Sequence, residues 1–419
     1  MRKKPELLIP AGSLDVLKVA VNYGADAVYI GGEVFGLRAK ARNFSRDDMA
    51  EGIRYAREHG VKVHVTVNIL AHNYDLGGVR DYLKELKGLK PDALIIADPG
   101  IFSLAGEICP EIARHVSTQA NTTNSESCLF WYRLGAKRIV TARELSLKEI
   151  REIRQTVPDD LELESFVHGA MCISYSGRCL LSNYMTGRDA NRGACTHPCR
   201  WKYALMEETR PNEYFPVYEN ERGTFIMNSK DLCMIDHLPD LIEAGIDSFK
   251  IEGRMKTALY AATVARTYRI AIDDYFKDPA LYAGKIDWYK DQISDCTYRQ
   301  FTTGFYYGKP CAEDQIYDSN TYVTNSVFMG IVKGRDRNGY LVTEQKNKFC
   351  VGDTLEVMKP DGSNPRAVVK AIYDAEGNYM ESAPHPRMEL HIDADLPADV
   401  NDVLRKQDSN QNAESSGKV

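Results

Sequence analysis

Four of the chain's ten cysteines, Cys172, Cys179, Cys195 and Cys199, fall between Glu164 and Arg200 at the spacing Cys-x6-Cys-x15-Cys-x3-Cys. The other six (Cys109, Cys128, Cys233, Cys296, Cys311 and Cys350) are scattered singly. Three readings of the four are open. They are unrelated buried thiols, since free cysteine packs like a small hydrophobe. They hold structural zinc, although zinc pairs favour gaps of about two to four residues. Or they hold an iron-sulfur cluster, whose spacings vary more widely. Spacing alone leaves zinc and iron-sulfur level. The neighbours favour a reactive site over a closed one. Gly169, Gly177, Gly187 and Gly193 let backbone approach closely, and Arg178, Arg188, Arg192 and Arg200 surround the thiols with positive charge.

A second constellation is basic. In Leu37 to Phe44 (LRAKARNF), Arg38, Lys40 and Arg42 alternate as an extended segment needs if it is to aim them together. The alternatives are a solvated basic loop and an anion clamp that meets carboxylates or phosphates.

Elements must position these groups. Apolar or alternating runs recur at Glu6 to Gly12, Ala27 to Gly32, Val61 to Asn68, Ala93 to Asp98, His115 to Asn121, Lys137 to Arg143, Leu161 to His168 and Ser248 to Gly253. Helical patterns lie between them. SLDVLKVAVNYGAD opens on Ser13 and stops at Gly24, DDMAEGIRYAREHG stops at Gly60, and LSLKEIREIRQTV precedes the seventh strand. Eight strand-helix units over roughly 250 residues predict an α/β fold, a (β/α)8 TIM-like barrel, rather than a doubly wound sheet. No Gly-x-Gly-x-x-Gly turn supports dinucleotide binding.

In such a barrel chemistry sits at the C-terminal ends of the strands. The cysteines fall in the longest connection, an insertion of about residues 169–227 after the seventh strand, in which WKYALMEE and EYFPVY read as a hairpin. Strand ends present Asn68, Gln119 and Arg143 as candidate substrate contacts. Glu164, Phe166 and His168 share one face of strand seven, and Lys250, Glu252 and Arg254 one face of strand eight. Glu164 and Glu252 are either catalytic or part of an internal salt-bridge layer. His168, beside the cysteine loop, is a candidate proton donor or hydrogen-bond partner of substrate or sulfur. Arg178 and Arg192 join Arg38, Lys40, Arg42, Lys250 and Arg254 as candidate anion contacts. Tyr175, Tyr184 and Trp201 are candidates to stack a base.

The pattern Glu164-x-Phe166-x2-Gly169-x2-Cys172-x4-Gly177-x-Cys179-x2-Ser182 resembles the signature of the collagenase-like peptidase family U32. LRAKARNF, NRGACTHPCR (191–200), NSKDLCMID (228–236), IEGRMK (251–256) and FTTGFYYGKP (301–310) resemble it too, so the likeness extends to about residue 400. Within that family the chain is similar to the branch that hydroxylates the tRNA wobble uridine to 5-hydroxyuridine with prephenate as cosubstrate. The resemblance implies an iron-sulfur cluster, of the four-iron four-sulfur type, on Cys172, Cys179, Cys195 and Cys199. It implies oxygen-independent hydroxylation, the tRNA anticodon region as partner, and the two carboxylates of prephenate as ligands for the basic groups. A homologous partner subunit is a further expectation. Other branches are thought to act on ribosomal RNA or a quinone precursor.

The rival readings are a peptidase and a non-catalytic iron-sulfur RNA-binding protein. The chain has no His-Glu-x-x-His and no Gly-x-Ser-x-Gly, and the cysteines best placed for nucleophilic attack are those a cluster would use. A mere binder needs no polar barrel interior.

With 419 residues and 43% hydrophobic content, the chain can bury more than one core. The expected domains are a barrel over 1–276, a connector over 277–320, a small β-barrel domain over 321–405 marked by Asn338-Gly339 and Asp361-Gly362 turns, and a disordered tail over 406–419. The net charge of −6 argues against a chain coated in nucleic acid and leaves room for a local basic patch. No segment is apolar enough to cross a membrane. Ten cysteines without a secretion signal predict reduced thiols in the cytoplasm.

Overall fold

The computed structural model describes residues 3–35, 43–172, 174–176, 178–190, 193–201, 205–206, 214–215, 219–220, 223–224, 229–296, 298–310 and 325–407. Seven strands follow one another in parallel: β1 (Glu6–Pro10), β2 (Ala27–Gly31), β3 (Lys62–Val67), β4 (Ala93–Ile96), β5 (Ala113–Val116), β6 (Arg138–Val140) and β7 (Glu162–Ala170). The strand Ser248–Ile251 pairs in parallel with both β7 and β1 and closes the ring at eight. The expected TIM-like barrel is present. Its strands are buried on both faces, which is why they read as apolar runs rather than alternating ones.

Helices alternate with these strands along the chain: α1 (Leu14–Asn22), α2 (Arg46–Glu58), α3 (Leu76–Leu89), α4 (Pro99–Ile108), α5 (Ser125–Arg133) and α6 (Leu147–Thr156). Then come α7 (Leu181–Thr186) after β7, α8 (Leu238–Glu243) before the closing strand and α9 (Ala258–Lys277) after it. Local chemistry sets their starts. Ser45 Oγ accepts the Asp48 amide at the head of α2, and Ser146 and Glu149 form a reciprocal capping box at the head of α6.

The fifth strand departs from its expected bounds of 115–121. It runs Ala113–Val116, and Thr118–Ala120 form a 3-10 turn ending in Asn121 at φ +53°. The polar run after Val116 bonds locally instead of extending the ladder: the Ala120 and Asn121 amides donate to Ser117 O and Thr118 O. Beyond the barrel rim the last residues of β7 pair antiparallel with Asp231–Cys233, which pairs in parallel with Phe301–Thr302. The connection that carries the cysteines lies between, and within it Leu205–Met206 pairs antiparallel with Tyr214–Phe215, where a hairpin is expected.

The chain divides into two compact units, and the division crosses the expected boundaries. The first is Met1–Leu14, Asp26–Met255 and Tyr298–Tyr322; the second is Asp15–Ala25, Lys256–Thr297 and Val323–Val419. Thus α1 and α9, barrel helices by their place in the sequence, belong to the second unit, as do α10 (Pro279–Ala283) and α11 (Ile286–Ser294) from the expected connector. Its sheet has eight antiparallel strands curled as a half-barrel, with Val403–Gln407 near the centre between Thr354–Met358 and Ser326–Arg335. RAVVKAIYD is not one strand. Arg366–Val368 pairs with Thr354–Met358, and Ala371–Tyr373 pairs with Glu389–Asp393. The Val403–Gln407 strand is hidden in sequence by its charges, because Arg405 is buried in it and satisfied by Glu356 and Asp295. Strand structure therefore continues through Lys406 and Gln407, and the rest of the expected tail, 408–419, lies outside the described residues.

Candidate active site at the mouth of the barrel

Polar side chains occupy the barrel interior in two places. Towards the strand starts, Arg138 Nη1 stands 2.6 Å from Glu6 Oε1 and 2.8 Å from Glu164 Oε2, and Lys250 Nζ lies 2.6 Å from Glu164 Oε1. Ser248 Oγ donates to Glu164 Oε2 at 3.1 Å. Burial alone would raise the Glu164 carboxyl, but Lys250 and Arg138 hold it at about 2. Glu6 is likewise held at about 2, burial being outweighed by Arg138. Two imidazoles complete the layer: His64 and His115 are buried, T-shaped at 4.8 Å between ring centroids, and kept neutral. Burial pulls His64 down to about 4 and His115 well below the ordinary imidazole range, with Arg138 adding to the latter. Glu6, Glu162 and Glu164 are already matched by Lys62, Arg138 and Lys250, so further positive charge on the imidazoles finds no counterion. Glu164 and Lys250, expected as a catalytic group and a substrate contact, sit in this layer, wholly committed to each other and their neighbours.

The second group lies where the strands end. Arg254 Nη1 donates to Thr66 Oγ1 at 2.7 Å, and a Cβ on Gly31 would stand 2.2 Å from that same nitrogen. Asn68 Nδ2 donates to Gln119 Oε1 at 3.2 Å, and Ser117 Oγ donates to the same oxygen. Arg143 Nη1 donates to Ala170 O at 2.7 Å while its guanidinium stacks 4.3 Å over the Phe166 ring. His168 is 1% exposed, one turn of the pleat above Phe166, with its ring 5.8 Å from Phe301. Its carbonyl accepts the Glu252 amide at 2.8 Å. That contact requires Gly169, at φ +107°, because a Cβ there would meet Glu252 O at 2.6 Å. Of the expected site residues, the structure thus brings Asn68 and Gln119 together, joins Arg254 to β3, and leaves Glu252, partly exposed, at the rim beside His168.

Thr66 and Ser117 were not singled out from sequence. Thr66 was findable, since it alternates with His64 and Asn68 along β3. Arg38, Lys40, Arg42 and Arg192 lie outside the described residues. At the mouth end of β2 the Phe44 amide donates to Gly31 O at 3.0 Å.

The cysteine connection adjoins this rim. Arg178 Nε donates to Asn121 Oδ1 at 2.7 Å, and Asn121 Nδ2 donates to Ser176 O at 3.0 Å. Ser182 Oγ, at the start of α7, donates to Arg188 O at 2.8 Å and accepts the Thr196 amide at 3.1 Å. That hydroxyl draws the segment following Cys179 to the segment following Cys195. Among the described residues no three His, Cys, Asp or Glu side chains stand close enough together to hold a metal ion. The chemistry of the four thiols nevertheless fits a thiolate-bound group. None of the four is joined in a disulfide among the described residues; Cys172 is exposed and Cys179, Cys195 and Cys199 are partly so. Cys109, Cys128, Cys233 and Cys296 are buried, and burial raises the Cys109 thiol and pushes Cys128 up to about 12, unsuited to ligation as thiolates.

Residues 12–316 match peptidase family U32, and residues 324–405 match the C-terminal domain of that family. The chain belongs to peptidase family U32. Among its U32 relatives, the tRNA hydroxylation protein P1 of Bacillus subtilis (strain 168) is 43% identical over 96% of this chain and 95% of its own length. The tRNA hydroxylation protein P of Escherichia coli (strain K12) is 38% identical over 91% of this chain and 92% of its own. A third relative, the 23S rRNA 5-hydroxycytidine C2501 synthase of Escherichia coli (strain K12), is 34% identical over 84% of this chain and 52% of its own length. Among the described residues of this U32 chain no helix is long and apolar enough to cross a membrane.

Proposed function

We propose that this U32 chain is an RNA-modifying enzyme that hydroxylates a pyrimidine in tRNA, converting the wobble uridine to 5-hydroxyuridine with prephenate as cosubstrate. The observation that carries the reading is the 43% identity to tRNA hydroxylation protein P1 over 96% of the chain. The mouth suits the task. A uridine splayed out of an anticodon loop presents a planar ring with two carbonyls and one N–H. The amides of Asn68 and Gln119, with the hydroxyls of Thr66 and Ser117, offer both donors and acceptors for such an edge. Arg254 and Arg143 bring positive charge for a carboxylate of prephenate, and Arg38, Lys40 and Arg42 are further cations for the same anion.

Cys172, Cys179, Cys195 and Cys199 would hold an iron-sulfur cluster, which supplies one-electron transfer when bound. The chain's own part is to seat the base and anion, keep water from the pocket, and place His168 beside the cysteine connection to hold or move a proton at an imidazole nitrogen. A cytoplasmic location, where tRNA is available, suits a cysteine-rich chain without disulfides among its described residues.

The test compares modified nucleosides by mass spectrometry in tRNA from cells lacking the protein, grown without oxygen. The expected result is loss of 5-hydroxyuridine and its derivatives, restored by the native gene and not by Cys172→Ala, Cys179→Ala, Cys195→Ala or Cys199→Ala. Anaerobically purified native protein should carry iron and sulfide, each of the four variants much less. Unchanged 5-hydroxyuridine overturns the tRNA assignment. Loss of an rRNA 5-hydroxycytidine instead supports the second reading, which the 34% identity to the rRNA synthase favours. Stoichiometric zinc without sulfide, in protein kept from oxygen, overturns the cofactor.

A further inference from the structure

Asn121 stands between two parts of the molecule that the proposed chemistry needs together. It ends the 3-10 turn after β5 in the left-handed conformation, φ +53° and ψ 49°. That turn is anchored to the barrel, because Thr118 Oγ1 donates to Thr141 O at 3.1 Å just past β6. The side-chain amide of Asn121 then uses both its ends. Nδ2 donates to Ser176 O at 3.0 Å and to Thr118 O at 3.3 Å, and Oδ1 accepts from Arg178 Nε at 2.7 Å. Ser176 and Arg178 belong to one turn, closed by the Arg178 amide donating to Tyr175 O at 3.1 Å. It lies between Cys172 and Cys179 in sequence and leads directly into Cys179.

We infer that Asn121 is a positioning residue that clasps the Tyr175–Arg178 turn and so fixes the Cys172–Cys179 half of the cysteine connection against the mouth. The residue type follows from the demands of the place. Asparagine tolerates the left-handed region better than most side chains, and its amide offers two donors for the carbonyls and an acceptor for the guanidinium, where a hydroxyl has a single donor. Aspartate would keep the acceptor and lose the donor. Arg178, exposed, meets Asn121 through its Nε. The inference rests on the reading that this connection serves the reaction, and the experiment separates the two.

Asn121→Gly keeps the backbone conformation and removes the clasp, while Asn121→Asp retains the contact to Arg178. Hydrogen exchange on the full-length chain reads the clasp without any turnover. In Asn121→Gly the peptide spanning 171–180 should exchange about tenfold faster, as expected for the loss of a neutral and a charge-assisted hydrogen bond. The peptide spanning 193–201 and the melting temperature should be unchanged, and Asn121→Asp should lie between. Equal exchange in native and Asn121→Gly protein, or a uniform rise across both peptides, overturns the clasp even if wild-type turnover is never seen. In the hydroxylation assay Asn121→Gly should lower kcat and leave the KM for tRNA unchanged, with partial rescue by Asn121→Asp. Faster exchange with undiminished kcat shows a clasp that the reaction does not use, and overturns the positioning role.

Discussion

Lys250 Nζ lies 2.6 Å from Glu164 Oε1 inside the barrel, where both side chains are almost wholly buried. Removing the Glu164 charge strands the buried Lys250 and takes one carboxylate from Arg138, which keeps Glu6. Glu164→Gln should therefore destabilise the protein by about 3 to 5 kcal/mol, the usual cost of breaking a buried pair. Glu164→Gln with Lys250→Met should recover much of that loss. Urea unfolding of both variants checks it, and a Glu164→Gln protein of native stability but no activity would return Glu164 to the reacting groups.

The same layer makes stability depend on acid. His64 binds its proton at about 4 in the folded chain against an ordinary 6.5, because burial opposes the imidazolium. Between about pH 6.5 and 4 the unfolded chain takes up a proton that the folded chain refuses, so stability is complete above this window and falls as pH falls through it. His115 acts in the same direction. Glu6 and Glu164, held at about 2 against 4.5, add a second loss as pH falls from about 4.5 towards 2. The His64 contribution is on the order of 3 kcal/mol. Melting temperatures should hold between about pH 8 and 6.5 and decline from about 6.5 to 4, and His64→Leu should flatten the upper part of that decline. A native melting temperature independent of pH across this range contradicts the buried neutral pair.

Gly31 offers a way to displace Arg254 without touching it. A methyl group there meets the Arg254 Nη1 and, at 3.0 Å, Thr66 Oγ1. The obstructing atom is the far end of a flexible side chain, so Gly31→Ala should cost little stability and move the guanidinium off Thr66. Hydroxylation should fall by about tenfold or more, as for a lost charge-assisted hydrogen bond. Full activity in Gly31→Ala with a shifted Arg254 would show that this guanidinium has no part in binding.

His168 is a buried imidazole at the rim near the cysteine connection. His168→Gln preserves much of the buried volume and removes the titrating ring. Turnover should drop by about a hundredfold, the lower range for loss of a general acid or base. The affinity for tRNA, measured by filter binding, should stay within about twofold, since a 1% exposed side chain offers RNA little surface. Weakened tRNA binding with unchanged turnover would reverse the assignment.

Much of this was legible in the sequence for a physical reason: strand and helix periods, caps and stop glycines are local. The eight parallel strands, the helices that stop before Gly24 and Gly60, and the hairpin at Leu205–Met206 and Tyr214–Phe215 all follow from short windows. So did the four cysteines, because their density within one connection needs no fold to be seen. What the tertiary structure decided was which charges face each other. Glu164 and His168 lie four residues apart in β7, whose pairing slips by one residue between Phe166 and His168, and the first meets Arg138 and Lys250 inside the barrel while the second lies at the rim beside Glu252. Period-two alternation assigns a side of the sheet and not a depth, and depth depends on the register of strands distant in sequence. The central strand Val403–Gln407 was lost for a related reason, since Arg405 looks solvent-facing until Glu356 and Asp295 are placed against it. The clasp of Asn121 on Ser176 and Arg178 spans more than fifty residues. No local pattern carries such a contact, because it exists only once the ring of strands has closed.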